Sequence, residues 1–386
     1  MSSDNDVHVM LLDASKAFDC VHYVILFERL LQKGLCPLVT RALLYMHVAQ
    51  RVDVRWNSSK SESFSVSNGV KQGGILSPVL FTIYTDIMLT KLRDCGVGCY
   101  IGNVFCGALA YADDIVILAP NKSALITMLN VARVCADSLR LRFNGAKSQY
   151  LVFRSSGSDL SQCQNAIDFC GVHVSETPEG IHLGNLLGPL SRIHSVTKAV
   201  SDLYMRTNVL LSRFKFCSPD VRYKLFKSQC VIVYGSPLWD FDTTVVADFS
   251  IAWRKCVRRV WGLPNRTHCN LLPGVCNDRD IKFQLLCRSM NFIRKACSTH
   301  NEVLRLCPKL VLCGSGSALS NSMSHISDVS GISRHRLCNF GNSRIFPLCG
   351  TSPLHGTIRE FAMAKHSARG VDRDNFEEIL IELCVN

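Results

Sequence analysis

Two adjacent aspartates, Asp113 and Asp114, stand between two apolar runs, residues 107–110 and 115–118. Each run has the length of a short strand, and aspartate is at home in the turn of a hairpin tip. An Asx-rich β-turn would account for the pair and nothing more. The stronger constraint is electrostatic, because two like charges are set side by side between segments that must be buried. A site for divalent cations resolves this, since Mg²⁺ prefers carboxylate oxygens and needs few of them. Residues 7–12 read as a buried strand that delivers a third carboxylate, Asp13, at its end.

The rest of the chain supplies a scaffold for such a hairpin. Residues 20–34 and 37–50 carry helical apolar spacing, the first stopped by Gly34 and the second opened by Pro37. Residues 51–67 predict a hairpin turning at Asn57, and a Gly-rich loop, residues 69–78, leads into a helix over 78–94. A second hairpin over 105–119 carries residues 111–114 at its tip, followed by a helix over 122–140 and a strand over 149–153. This mixture predicts an α+β fold, antiparallel hairpins packed under helices. Residues 155–190 are turn-rich, with one short strand expected around His182-Leu183-Gly184.

Beyond residue 191 the pattern becomes helical. Ser218-Pro219-Asp220 is a strong helix start. A helix over 249–261 places Trp253, Cys256, Val257, Val260 and Trp261 on one face and Arg254, Lys255, Arg258 and Arg259 on the other. The expected organisation is residues 1–190, then a basic helical region over 191–313. A Ser/Gly-rich flexible linker over 314–333 and a poorly patterned tail over 334–386 follow, with a short helix after Asp374.

Charge placement says more than total charge. Of a net +12, residues 191–300 hold 18 Lys and Arg against 7 Asp and Glu, which points to a polyanionic partner for that segment. No apolar run reaches the roughly 18 residues of a membrane span, and the amino terminus lacks the basic-then-apolar layout of a secretory signal, so an intracellular, soluble chain is expected. In that setting the 20 cysteines are expected to be reduced and mostly buried. Cys297 and His300 with Cys307 and Cys313 fit no zinc pattern well, and Cys338, Cys349 and His355 fit less well still.

Four blocks fall in a fixed order. They are residues 11–19 (containing Asp13 and Phe18), the loop 69–78 (containing Lys71 and Gln72), Tyr111-Ala112-Asp113-Asp114, and Asn144-Gly145-Ala146-Lys147. In this order and spacing they resemble motifs A, B, C and D of reverse transcriptases, specifically those of non-LTR (LINE-type) retrotransposons, where alanine at the second place of the Tyr-Ala-Asp-Asp block is usual. The resemblance covers residues 7–300 and implies a polymerase palm followed by a helical thumb. It implies an RNA-directed DNA polymerase acting on an RNA template, a DNA primer or target, and dNTPs with two Mg²⁺ (or Mn²⁺) ions, in the nucleus and with no membrane role. Asp13 and Asp113 would be the main metal ligands and Asp114 a supporting one, with the Asp13 backbone carbonyl as a possible further oxygen. Phe18 would be the steric gate, Gln72, Gly73 and Gly74 the nucleotide-facing loop, and Lys147 the partner of the triphosphate. His182-Leu183-Gly184 falls at the primer grip, with His in place of the usual aromatic. Tyr234-Gly235, Trp239 and the stretch 253–264 resemble thumb sequences, with Arg254, Lys255, Arg258 and Arg259 facing duplex phosphates.

The pattern departs from the family in one respect. The chain opens almost at motif A, and no fingers region or endonuclease is matched. The expectation is a truncated copy with little processive activity alone, its fingers or endonuclease supplied by another chain. The alternative is a catalytically inactive RNA- or DNA-binding remnant. A nucleotide cyclase would share carboxylates on hairpins but gives no reason for Phe18, the 69–78 loop or the basic segment.

Overall fold

The structure, a computed structural model, describes residues 6–154, 165–188, 191–241, 244–306, 320, 321 and 324. The expected tail helix after Asp374 lies outside them. The chain divides into two compact units, residues 1–189 and 190–386.

The first unit is built on strand β1 (Val7–Leu12), followed by helices α1 (Tyr23–Gln32) and α2 (Pro37–Val48). Two nested ribbons come next, β2 (Arg51–Val52) with β5 (Phe64–Ser65) around β3 (Arg55–Trp56) with β4 (Ser59–Lys60), turning where Asn57 takes a φ of 53°. Helix α3 (Ser77–Asp94), the ribbon β6 (Tyr100–Ile101) and β7 (Val104–Phe105), and the hairpin β8 (Ala108–Tyr111) and β9 (Asp114–Ala119) follow. Then come α4 (Lys122–Ser138) and β10 (Gln149–Phe153). Strands β10, β1, β9 and β8 form one antiparallel sheet in that order, with β1 at its centre.

Strand alternation explains why β1 is apolar apart from His8. Met10 and Leu12 point with Ile115, Ile117 and Ala119 into the core that α1, α3 and α4 cover. Val9 and Leu11 point the other way, joining Val116 and Leu151 in a second, smaller core. A strand buried on both faces admits a polar side chain only with a partner, as at His8, whose Nδ1 lies 2.6 Å from the Tyr150 hydroxyl, and it ends before Asp13. Helix α4 covers the sheet with Leu125, Met128, Leu129, Ala132 and Cys135, a spacing of three and four, and Asn121 caps it by accepting from the Ala124 N–H at 2.8 Å. Helix α3 packs Leu80, Phe81, Tyr84, Met88 and Leu92 beside it. Helix α2 forms as expected but buries only Thr40, leaving Leu38, Tyr45 and Met46 exposed.

Residues 165–188 hold more strand than the sequence suggested. There are two hairpins, β11 (Ala166–Phe169) with β12 (Val172–Ser175) and β13 (Gly180–His182) with β14 (Asn185–Leu187). His182-Leu183-Gly184 is therefore a strand end and a turn, not a strand, with Leu183 at φ 48° and Gly184 at φ 73°.

The second unit is helical: α5 (Ser191–Arg213), α6 (Pro219–Leu225), α7 (Thr244–Trp261), α8 (Leu272–Cys276) and α9 (Ile281–Ser298). A π-helical turn, Phe226–Cys230, continues α6. Ser218 caps α6, its hydroxyl accepting from the Val221 N–H, with Pro219 in the first turn as the sequence predicts. Val196, Leu203 and Leu210 of α5, seven residues apart, meet Trp253, Cys256, Val257 and Val260 of α7 in one core. Ser320 is buried and the Asn321 amide donates to Asp240 Oδ2 at 2.9 Å, so these two residues of the expected flexible linker are held in place. The cysteines depart from expectation too. Among the described residues Cys106, Cys135, Cys230, Cys256 and Cys276 are buried, while Cys20, Cys95 and Cys99 are half-buried and Cys36 and Cys170 exposed. No helix among the described residues is long and apolar enough to cross a membrane.

Candidate active site

The β8–β9 hairpin turns in two residues. Tyr111 pairs with Asp114, which leaves Ala112 and Asp113 as the loop. Ala112 takes a φ of 55°, a left-handed conformation that costs a residue with a Cβ on the order of 1–2 kcal/mol. Buried Ile115 and Ile117 anchor the strand behind the turn. The pairing of β1 with β9 ends at Leu12 opposite Ile115, and one step further along the same register sets Asp13 opposite Asp114. Three carboxylates thus meet at one end of the sheet.

Their charges feel one another. Partial burial first, and then the negative charges of Asp113 and Asp13, raise the Asp114 carboxyl above its ordinary pKa, while His182 pulls the other way. The His182 imidazole lies below its ordinary pKa because of burial, and Asp114 offsets part of that. None of the three aspartates forms an ion pair among the described residues. The hairpin that brings His182 here is docked by Gln149, whose Oε1 accepts from the Ile181 N–H at 2.9 Å. Gly180 permits the approach, since a Cβ there would lie 2.8 Å from Gln149 Oε1 and 3.1 Å from Leu11 Cδ1.

Asp13 is fixed from the motif D side. Its N–H donates to Ser148 Oγ at 3.3 Å, and its carbonyl accepts from the Asn144 N–H at 2.8 Å. That carbonyl, expected as a further metal oxygen, is thus already engaged in tying residues 144–148 to the end of β1. The Ser15 N–H extends the seam to the Arg142 carbonyl at 2.8 Å. Lys147 is exposed and forms no ion pair among the described residues, so its role as triphosphate partner depends on a ligand for its direction. Sequence reading passed over Ser148 and Gln149; the signal for them was a polar pair at the start of an otherwise apolar strand.

The 69–78 loop is stitched to motif A. The Phe18 carbonyl accepts from the Val70 N–H and the Val21 carbonyl from the Gly69 N–H, both at 2.8 Å. Gly69 has a φ of +88°, and a Cβ there would lie 3.0 Å from the Asp19 carbonyl oxygen, so glycine is required on two counts. Gln72 reaches Asp19 Oδ1 from its amide at 3.5 Å, at the outer limit of a hydrogen bond. Gly73 is exposed with a φ of +79°, and Gly74 is packed so closely that a Cβ would lie 2.7 Å from Ser77 Oγ. Phe18 is half-buried, its ring stacked on Phe81 with centroids 4.7 Å apart. A ring held flat by a core neighbour has little rotational freedom, as a gate would need.

The basic face of α7 is not what periodicity implied. Arg258 is buried, its Nε donating to the Thr267 carbonyl at 3.0 Å and its guanidinium meeting Cys269 Sγ at 3.2 Å. Arg254 pairs with Asp280 at 3.0 Å. Arg259 is exposed but donates to Asn208 Oδ1 at 2.7 Å, and Lys255 alone among the four points to solvent without a bond among the described residues. The segment after α7 folds back over it and takes up cations that the helical wheel assigned to solvent.

Comparison with known proteins bears directly on the first unit. Residues 2–174 match the family described as reverse transcriptase (RNA-dependent DNA polymerase). Curated relatives are Pol polyproteins of R2 retrotransposable elements: 29% identity over 140 residues in Drosophila melanogaster, and 30% over 192 residues in Popillia japonica. These stretches cover 36% and 48% of this chain but 13% and 24% of the relatives, so the chain spans at most about a quarter of their length. Residues 2–174, nearly all of the first unit, are thus similar to reverse transcriptases, and the curated relatives are those of non-LTR R2 elements. The sheet, α3 and α4 make an α+β polymerase palm, and Asp13, Asp113 and Asp114 stand at the sheet end of that unit. Among solved structures, a telomerase of Candida tropicalis aligns with 98% of this chain and 50% of its own at 11% identity and a TM-score of 0.35, too distant to add to the assignment.

Proposed function

We propose that this chain carries the nucleotidyl-transfer centre of an RNA-directed DNA polymerase of the R2 type. The carrying observation is the register that sets Asp13 opposite Asp114 beside the Asp113 turn, with no cation among the described residues bound to any of them. Among the described residues no three His, Cys, Asp or Glu side chains converge tightly enough to enclose an ion. The donor set nonetheless fits Mg²⁺ or Mn²⁺. All three side chains are hard oxygen donors on adjacent strand ends; burial first, and then the charges of Asp113 and Asp13, raise the Asp114 pKa, and a bound cation would offset both.

Asp13 and Asp113 would hold the ions and Asp114 would support them. Two ions about 4 Å apart would supply a more acidic primer 3′-hydroxyl and a neutralised triphosphate. This chain's residues then do the positioning. The 69–78 loop, with Gly73 and Gly74 free of side chains, lets a nucleotide lie close to its backbone. Phe18 closes the sugar side, and its fixed ring would exclude a 2′-hydroxyl. Lys147 would balance charge on the leaving pyrophosphate. His182 and the Leu183-Gly184 turn would bear on the primer end. The reading extends to an RNA template, a DNA primer or target and dNTPs as ligands, and to the helical unit as the side that follows the duplex backbone.

Primer extension on an RNA template with Mg²⁺ and dNTPs tests this. The full chain is expected to extend the primer, and Asp113→Asn to reduce the rate by on the order of 10³-fold. Extension undiminished in Asp113→Asn would overturn the reading, as would its absence from the wild-type chain in both Mg²⁺ and Mn²⁺.

A further inference from the structure

Helix α5 ends at Arg213, and Phe214-Lys215-Phe216 form the turn that follows it. Phe216 is 91% exposed and Phe214 40%, while Arg213 and Lys215 are both exposed. The Lys215 ammonium sits over the Phe216 ring, 4.7 Å from its centroid. The loop is short and held at both ends. The Phe214 N–H bonds to the Leu210 carbonyl at 2.9 Å, the Cys217 N–H to the Phe214 carbonyl at 3.1 Å, and Ser218 then caps α6. The aromatic is therefore presented on fixed backbone, not carried on a loose tail. Further apolar side chains, Val209 at 47% and Met205 at 55% exposed, continue it along the outer face of α5.

We propose that Phe216 is a stacking platform for an unpaired base of a single-stranded nucleic acid, with Arg213 and Lys215 holding the flanking phosphates. Base stacking on an exposed ring combined with cations spaced for the backbone is how proteins bind single strands without reading sequence. The ring, the two cations and the absence of any acidic residue between Arg213 and Pro219 select a polyanion with a flat apolar face. A duplex offers phosphates but no free face. The inference rests on the helical unit facing nucleic acid and adds a preference for an unpaired strand.

Equilibrium binding of the full chain, by fluorescence anisotropy in EDTA so that no extension occurs, separates the two. The probes are a labelled 12-nucleotide RNA and a blunt duplex of the same sequence. Phe216→Ala removes a side chain with almost no buried surface, so the fold is expected to be unchanged. It should weaken binding to the single strand about tenfold or more and binding to the duplex less than twofold. Phe216→Trp should restore the affinity, and its indole emission should be quenched by the single strand. Lys215→Ala should weaken both ligands and lower the salt slope by about one. Equal loss on both probes for Phe216→Ala, or no loss on either, overturns the stacking role without touching the proposal that the helical unit binds nucleic acid. Quenching of Phe216→Trp by anionic phosphatidylserine vesicles and not by RNA also overturns it. A wild-type chain that binds neither probe removes this inference and the nucleic-acid reading of the helical unit together.

Discussion

The two units treat charge in opposite ways. In the palm, three aspartates at the sheet end have no cationic partner among the described residues, although the same unit pairs a buried carboxylate. Glu176 receives both arms of Arg154, at 2.6 and 2.9 Å, and the Asn165 amide at 3.1 Å. In the helical unit most of the prominent cations are spent on the fold itself: Arg254 on Asp280, Lys227 on Asp278, Arg258 on the Thr267 carbonyl. Net charge marked out the helical unit proposed to face nucleic acid but assigned to solvent cations that the fold itself engages. Unpaired charge on a rigid frame is the better marker of a site, because a fold gains nothing by holding like charges together.

The largest effect expected from this contrast is on stability. Glu176→Ala leaves the Arg154 guanidinium without its main buried acceptor and should cost about 3–5 kcal/mol, or roughly 10 °C in the melting of the palm. Asp114→Asn, which removes a charge of comparable size from the sheet end, should leave melting unchanged or slightly raised, since it relieves repulsion from Asp113 and Asp13. Calorimetry on both variants breaks the contrast if Asp114→Asn destabilises as much as Glu176→Ala.

A smaller effect separates two cations three residues apart on α7. Arg258→Ala should lower stability by about 2 kcal/mol, through lost hydrogen bonds and packing, and leave the salt dependence of duplex binding unaltered. Lys255→Ala should do the reverse, with melting within about 0.5 kcal/mol of wild type and a salt slope lowered by about one. If both variants change the slope equally, the bonds of Arg258 to the segment after α7 do not withhold it from nucleic acid.

Sequence alone reached the palm more surely than the helical unit, for physical reasons. Strand β10 matches its expected span of 149–153, and α3 and α4 fall within two residues of expectation, because a buried face writes a clear period. The two hairpins of residues 165–188 were reduced to one strand because their strands have only three or four residues each, too few to show alternation. The four-cation face failed for a different cause. A helical period reports which residues share a face but not that residues 266–280 fold back upon it. The aspartates were legible because each stands at the end of an apolar strand run, while Ser148 and Gln149 act across more than 30 residues with no such local signal.

The smallest predicted effect concerns pH. Burial holds His8 below its ordinary pKa, and its Nδ1 lies 2.6 Å from the Tyr150 hydroxyl. The unfolded chain takes up this proton near pH 6.5 while the folded chain resists it, so the unfolded state binds more protons just below that pH. Stability contributed by His8 is then complete above about pH 6.5 and declines on acidification toward its lower folded pKa. Denaturant unfolding of wild type and His8→Gln at pH 7.5 and 5.5 should show a shallower decline in the variant; equal slopes would place the acid sensitivity elsewhere.

The two-residue turn at Ala112 and Asp113 has a consequence for how this chain tolerates change. Strand side chains alternate faces, so adding or deleting one residue within β9 would exchange the faces of the residues beyond the change, sending polar side chains toward the core and apolar ones toward solvent. Substitutions around the turn alter contacts one at a time. A change of length alters all of them together. The active end of the sheet is therefore robust to spelling and fragile to counting, and copies of such a domain that differ freely in residue identity should agree in the spacing between the Asp113-Asp114 pair and the strand behind it.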